Sequence, residues 1–437
     1  MSLQSPLLTA QDVLPFLPVQ PREPADLGRI EALAHELIVK NVYIRGELSG
    51  LELSRYLRLP YVIVSRIIKV LAAEELLSVK SAAKTGDLGG DFTYILGPKG
   101  VLRAKGLMER NSYTGIVPVT MEEYQQVTAD YMKATAANVE FEVTPEKVDS
   151  VFSRRIGYQE LNHLIGQAAA NRQSVFLHGG AGNGKTDLSF QIVHLLPPVI
   201  LPYTVEFNRQ IIAIFDESVH KPLPQFAALR GLDPRWVVCQ APMVTLGGEM
   251  TLADLDIKYD EKLKAHKAPP QVMANGGVLL IDDFGRQRCK PDEIFNRLIV
   301  PLENHFDFMV VDGSRLTVST DEVIIFSSNL SLIDIMDPAF LRRIPYKIQM
   351  RDPTADEFSS IWKMMLGKLE LIEDASTLNY LLAKYTKDQR PFKASQPRDL
   401  LRLVRNKLKY FKRLGAAIAP GDLDEAYATY FPAGICY

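Results

Sequence analysis

The sequence predicts an α/β protein. A parallel sheet with crossover helices is expected over residues 150–351, a helical domain over 352–437, and a smaller domain of helices and short strands over 26–112. Three observations predict this. Between Ser174 and Met350, short apolar runs alternate with stretches of helical periodicity, the pattern of strand–helix–strand units. A glycine-rich loop, Gly179–Thr186, sits between one such strand and one such helix. From Asp352 onward the apolar spacing is helical, in Glu357–Leu366, Ala375–Lys384, Pro397–Lys412 and Asp422–Tyr430.

The chain has 437 residues, room for two to four domains at roughly 100–200 residues each. Its hydrophobic share of 47% is that of a globular protein. Lys and Arg number 50 against 52 Asp and Glu, which excludes a chain-wide basic footprint for nucleic acid. The three cysteines, Cys239, Cys289 and Cys436, are too far apart for a disulfide framework or a zinc site, and they predict a reducing compartment. The seven histidines are scattered. No run of about 18 apolar residues and no secretory start is visible, so a cytoplasmic protein without membrane partners is expected.

Residues 1–25, with Pro15, Pro18, Pro21 and Pro24, read as an extended arm. Ile30, Leu33, Leu37 and Ile38 begin the first helix. Gly46–Gly50 separates it from a short helix, Leu51–Leu57, which Leu59-Pro60 ends. Tyr61–Leu71 carries core spacing in Val64, Ile67, Ile68 and Leu71. Two strands follow, Leu76–Lys80 and Phe92–Leu96, around the polar loop Ser81–Asp91. Three helices followed by a hairpin is the order of a winged helix, a helix-turn-helix variant. Residues 113–149 read as a linker holding one helix, Met121–Ala136, and a further helix from about Pro145 to Gln167 leads into the glycine-rich loop.

That loop, Gly179-Gly180-Ala181-Gly182-Asn183-Gly184-Lys185-Thr186, matches the Walker A phosphate-binding pattern in full. Its strand is Ser174–Leu177, and Leu188–Val193 continues its helix. Gly179, Gly182 and Gly184 let backbone N–H groups curl around an anion, and the helix N-terminus adds partial positive charge. Lys185 is expected on the β- and γ-phosphates of ATP and Thr186 on Mg²⁺. Asn183 and Asp187, within and just after the loop, complete the predicted nucleotide contacts. A hundred residues on, Val278–Ile281 reads as a buried strand ending in Asp282-Asp283. Asp282 is the second candidate metal ligand. Asp283 stands where a general base polarises water, one methylene shorter than the usual Glu. Two readings follow: a base of altered reach, or a site that binds ATP tightly and hydrolyses it slowly.

Beyond these motifs the chain resembles the AAA+ ATPase superfamily over about residues 150–437. Val323–Asn329 resembles the strand and polar residue of sensor 1, so Asn329 would orient the attacking water. Asp337–Ile344 resembles the arginine-finger segment. By that match Arg343, with Arg342 beside it, would act on the nucleotide of a neighbouring subunit. Ser395–Leu400 resembles the start of a lid helix with sensor 2, putting Arg398 on the phosphates in cis. The span Phe308–Val318 looks like a β-hairpin with an Asp-Gly turn, similar to the MoxR-like and helix-2-insert branches. The whole arrangement resembles an uncharacterised group of bacterial AAA+ ATPases with an N-terminal winged helix.

The resemblance implies an Mg²⁺-dependent ATPase that assembles as a homo-oligomeric ring, a hexamer, and remodels a protein client selected by the winged-helix domain. The alternative is a nucleotide-switched DNA-binding regulator or loader. Tyr61, Ser65, Arg66 and Lys69 are the residues its third helix would offer to a major groove. Asp254–Lys267 reads as a charged helix with Tyr259, Lys262 and Lys264 as candidate pore contacts, and Arg286 and Arg297 as candidate interface residues.

Overall fold

The computed structural model describes residues 17–82, 92–226, 231–330, 338–373 and 376–432. Most of the N-terminal arm, most of the polar loop between the first two predicted strands, Asp337 and Cys436 lie outside the described residues.

The N-terminal domain begins with α1 (Glu31–Arg45), β1 (Leu48–Ser49), α2 (Gly50–Leu57) and α3 (Tyr61–Ala73). Ser49 and Glu52 form a reciprocal capping box that starts α2. Arg58 ends it in a left-handed conformation, φ 51°, which turns the chain sharply into α3. Next come β2 (Leu77–Ala82), β3 (Phe92–Leu96) and α4 (Pro98–Arg110). The strands form an antiparallel sheet in the order β1-β3-β2. The two-residue β1, pairing Leu48 with Tyr94, is too short to signal itself in the sequence. Leu37, Ile38, Leu53, Leu57, Ile63 and Ile67 form the core of this domain.

The predicted linker is a correction. Val119–Thr120 is a strand, β4, and α5 (Met121–Ala137) buries Met121, Tyr124 and Tyr131 in the main core. The apolar side chains of α5 are spaced to fill a groove rather than to bridge solvent. The long helix expected before the loop is also two helices, α6 (Pro145–Phe152) and α7 (Gln159–Ala170). Gly157 and Tyr158, at φ 78° and 67°, break the helical path between them.

The central sheet contains β5 (Val175–His178), then β10 (Met243–Leu246), β13 (Val278–Ile281), β16 (Val323–Ser328) and β17 (Tyr346–Gln349). Every pairing in it is parallel, in the order β10-β13-β16-β5-β17. All residues of β13 and β16 are buried, as strands covered on both faces must be. Helix α8 (Lys185–Ile192) follows β5 and is only eight residues long. Pro197-Pro198 stops a longer run.

Between α8 and β10 the expected helix–strand alternation gives way to strands: β6 (Val199–Pro202), β7 (Thr204–Phe207), β8 (Gln210–Ala213) and β9 (Trp236–Cys239). The β7–β8 hairpin turns on Asn208 and Arg209 at φ 49° and 67°, a two-residue turn without the usual glycine. The predicted charged helix Asp254–Lys267 is likewise a hairpin, β11 (Lys258–Asp260) with β12 (Ala265–Lys267). Asp260 accepts from the Lys262 and Leu263 backbones to form its turn, and Tyr259 packs edge-on to His266. A second sheet results, ordered β11-β12-β8-β7-β4. The N-terminal domain is seated on it. Ile211 and Ala265 belong to that domain's apolar cluster, the Arg58 guanidinium lies 4.0 Å from the Tyr203 ring centroid, and Arg29 bridges Glu122 and Glu206.

Buried chemistry fixes this junction. Asp233 and Arg235, 1% and 5% exposed at the side chain, pair at 2.6 Å, and Arg235 also donates to the Pro118 carbonyl. Removing the carboxylate takes away the near partner of a buried guanidinium and leaves it Glu123 at 3.8 Å and the Pro118 carbonyl, so Asp233→Ala is expected to destabilise the fold by about 3 kcal/mol, read as a lowered urea midpoint.

After β13 come α9 (Pro291–Asn304) and the hairpin β14 (Phe306–Val311) with β15 (Ser314–Ser319). Its turn is the expected Asp312-Gly313, at φ 46° and 78°. The C-terminal domain holds α10 (Ala355–Leu369), α11 (Thr377–Lys387), α12 (Gln396–Tyr410) and α13 (Pro420–Tyr430) around Phe358, Trp362, Tyr385 and Leu408. Among the described residues no helix is long and apolar enough to cross a membrane.

Candidate functional site

The site lies at the carboxyl ends of the parallel strands, where β5 sits between β16 and β17 and the strand order reverses: the chain runs from β5 to β10 at one edge and from β16 to β17 at the other. Open parallel sheets form their ligand crevice at such a point. The loop after β5 carries Gly179, Gly182 and Gly184 at φ 137°, 79° and 79°, a region that side chains resist. A Cβ on Gly179 would stand 2.2 Å from the Met350 carbonyl oxygen, and one on Gly182 2.5 Å from Ser395 Oγ.

Lys185 is 6% exposed. Its ammonium donates to the Gly179 and Gly180 carbonyls at 2.9 and 3.0 Å and to Asn329 Oδ1 at 2.6 Å. Burial lowers its pKa, and Asp282 and Asp283 oppose that shift. Thr186 Oγ1 donates to Asp282 Oδ2 at 2.9 Å. Asn329 Nδ2 donates in turn to Asp283 Oδ1 at 2.9 Å. Residues about a hundred and fifty positions apart thus form one chain of contacts, Lys185–Asn329–Asp283, beside the Thr186–Asp282 pair.

The position of Asp283 follows from its neighbour. Phe284 is fully buried among Phe176, Phe295 and Phe326, and its N–H donates to the Ser327 carbonyl. With Phe284 anchored inward, Asp283 takes φ 50° and turns its carboxylate outward to solvent and to Asn329. Left-handed backbone at a residue other than glycine stores strain of the kind found at working sites.

The C-terminal domain closes over the loop. Ser395 N–H donates to the Gly182 carbonyl at 2.9 Å. Asp352 accepts from Asn183 Nδ2 at 2.7 Å and from Lys393 Nζ at 2.6 Å. Desolvation raises the Asp352 pKa, but these two hydrogen bonds outweigh it and hold the carboxyl below its ordinary value. The cleft between the two domains measures about 1120 Å³, ample for a nucleotide. Asn183, Gly184, Thr186, Asp187, Arg398 and Arg402 line its polar part. Arg398 pairs with Asp399 at 2.8 Å. Ile156, Tyr158, Ile361, Met365 and Leu369 line an apolar end.

Two oxygen donors side by side, Thr186 and Asp282, fit a hard divalent cation that keeps most of its coordination for phosphate and water. Mg²⁺ is such an ion, and these residues would hold it.

Residues 354–429 match a family model described as a domain of unknown function, DUF8689. No curated protein matches the chain. Solved structures similar to it include the Thermotoga maritima RuvB Holliday junction branch migration motor, at 13% identity over 63% of this chain and 70% of that one, with a TM-score of 0.38. NtrX from Brucella abortus is similar at 16% identity over 77% and 67%, also with a TM-score of 0.38.

Two expected residues lie outside the cleft. Arg342 is exposed, and Arg343 Nε pairs with Glu303 at 2.5 Å. Arg297 is corrected from an interface candidate to an internal one. It is held by Asp307 at 2.7 Å and by the Leu255 carbonyl. Arg286 is exposed. The candidate pore residues Tyr259, Lys262 and Lys264 belong to the β11–β12 hairpin at the edge of the second sheet. Sequence reasoning missed Asp352 and Lys393 because neither belongs to a local motif, and it named Ser395 only as the start of the Ser395–Leu400 segment, not as a contact of the loop. It also missed Arg155, whose buried Nε and Nη1 have no hydrogen-bond partner beside the cleft; the Arg154–Tyr158 break between α6 and α7 was the available signal.

Proposed function

We propose that this protein binds ATP with Mg²⁺ and hydrolyses it in the manner of AAA+ ATPases, as a ring that remodels a protein client. The observation that carries the reading is the convergence of Lys185, Asn329 and Asp283 with the Thr186–Asp282 pair in one cleft. Phosphates entering the loop exchange the Gly179 and Gly180 carbonyls for stronger, charge-assisted partners on Lys185. Bound Mg²⁺ supplies electrophilic charge on the phosphates. Asp283 then accepts the proton of the attacking water, which Asn329 helps to orient. Arg398, with Arg402 beside it, meets the phosphates from the lid side. The apolar end formed by Ile156, Ile361 and Met365 takes the base.

Arg343 and Arg342 supply the argument for assembly. They lie outside their own cleft, and Glu303 holds Arg343 ready at the surface. A neighbouring subunit's γ-phosphate would replace Glu303 as its partner. Light scattering with a non-hydrolysable ATP analogue is expected to report a hexamer. Arg343→Ala is expected to keep ATP binding and to lose roughly 10³-fold in turnover. Mixing it with Lys185→Ala subunits, which still carry Arg343, should restore activity in the mixed rings. A protein that remains a monomer with full turnover overturns the ring and the trans role together.

The N-terminal domain, with its winged-helix order of elements, is the proposed client-docking module. On α3, Val62 and Val70 are 52% and 46% exposed beside Arg66 and Lys69. An apolar-flanked face supports a protein partner over a duplex groove. A salt-dependent shift of duplex DNA that is lost in Arg66→Ala/Lys69→Ala would favour the regulator or loader reading instead.

A further inference from the structure

The lid helix α12 carries a second feature that the nucleotide site does not use in full. Over residues 396–415 the chain holds Arg398, Arg402, Arg405, Lys407, Lys409, Lys412 and Arg413, with Asp399 as the only acid. Several of these cations have internal partners. Arg398 pairs with Asp399, Lys407 with Asp422 and Glu425, and Arg413 with Asp422. Arg402, Arg405, Lys409 and Lys412 have no ion pair among the described residues, and all four are exposed.

Arg402, Arg405 and Lys409, spaced three and four residues apart, share one face of the helix, and Lys412 follows in the turn just past its end, at φ 56°. The opposite face, Leu400, Leu401, Val404 and Leu408, is buried in the lid core. Like charges at such spacings repel one another and weaken a helix, so a face of this kind is stabilised by a polyanion laid along it. On the helix their Cβ atoms stand about 5–6 Å apart, within reach of successive phosphates on an extended strand.

The end of the stripe distinguishes between polyanions. Tyr410 is 82% exposed and Phe411 58% exposed, with their rings edge-to-face at 5.0 Å. Leu414 beside them is 51% exposed. Aromatic faces next to a cationic track stack unpaired bases, whatever their sequence. An acidic peptide has no equivalent use for them. A membrane would need the apolar face of the helix, which the lid core already occupies.

We propose that Arg405, Lys409 and Lys412, with Tyr410 and Phe411, form a binding track for single-stranded nucleic acid on the outer half of the lid helix. Its inner half, Arg398 and Arg402, faces the nucleotide cleft, so both ligands contact one rigid element. The track stands independently of the ATPase reading, since none of its residues belongs to the cleft.

The test is fluorescence anisotropy of the full-length protein with a labelled mixed-sequence single-stranded DNA 20-mer, with its duplex, phosphatidylserine vesicles and polyglutamate as the other arms. The single strand is expected to bind best, with log K falling against log salt at a slope of about −2 for three phosphate contacts. Arg405→Glu/Lys409→Glu should weaken binding at least ten-fold and flatten that slope. Tyr410→Ala should weaken the single strand roughly five- to 100-fold and leave the duplex unchanged. Each variant should keep the parent melting temperature, because these side chains project away from the core. Equal binding by the charge-reversed protein overturns the proposal. So does a preference for vesicles, polyglutamate or duplex, or failure of the parent protein to bind the single strand.

Discussion

Lys185→Ala is expected to abolish ATP binding at micromolar nucleotide, measured by anisotropy of a fluorescent ATP analogue. Lys185 is 6% exposed, and its ammonium is held inside the loop that would surround the phosphates. A hydrogen bond to a charged group contributes about 1.5–3 kcal/mol. Losing two such bonds to the β- and γ-phosphates raises Kd by two orders of magnitude or more. The fold should survive, because the ammonium's hydrogen bonds go to loop carbonyls and the Asn329 amide, all of which belong to the candidate site. Unchanged affinity in a folded Lys185→Ala protein would place nucleotide binding elsewhere.

Asp283→Asn is expected to separate binding from chemistry. The amide preserves an oxygen for Asn329 Nδ2 and keeps the local shape, so ATP affinity should change little. A general base contributes about 10²–10⁴-fold, and steady-state phosphate release should fall by that factor. The outward aim of Asp283, imposed by buried Phe284, supports its role as the base. Asp283→Glu distinguishes the two readings of the shorter side chain. Turnover that rises in Asp283→Glu marks a natural site kept slow by reach; turnover that falls marks a geometry already matched to Asp. Asp283→Asn that hydrolyses ATP at the parent rate would remove Asp283 from the mechanism. The same variant, holding ATP without releasing phosphate, is the form in which to capture a client.

Much of the site was legible because its signals are local. A glycine loop between an apolar strand and a helix requires only neighbouring residues to be recognised, and the observed φ values at Gly179, Gly182 and Gly184 are what that motif demands. The Asp312-Gly313 hairpin was legible for the same reason. The lid helices were legible from their apolar spacing. The β7–β8 turn was not, because Asn208-Arg209 adopts a geometry that usually advertises itself with glycine. The Lys258–Lys267 segment misled because its charges are dense and its ring contact, Tyr259 on His266, lies across a hairpin. Residues 113–149 read as a linker because Val119–Thr120 acquires a partner, β7, only some eighty residues later.

By itself, then, the sequence determined the local candidates: a glycine-rich loop, two carboxylates at one strand end, an asparagine at another, and a helical C-terminal domain. Each depends on residue types in a short window. Only the tertiary structure decided what those groups touch. It brought Asn329 between Lys185 and Asp283, fastened the lid to the loop through Asp352, Lys393 and Ser395, withdrew Arg297 into an internal pair, and left Arg343 outside its own cleft. It also decided which cations of the lid helix stay unpaired. The physical reason is common to all of these. Strand order, burial and ion pairing are set by contacts between residues far apart in the chain, and no local pattern of side chains specifies which distant partner will arrive.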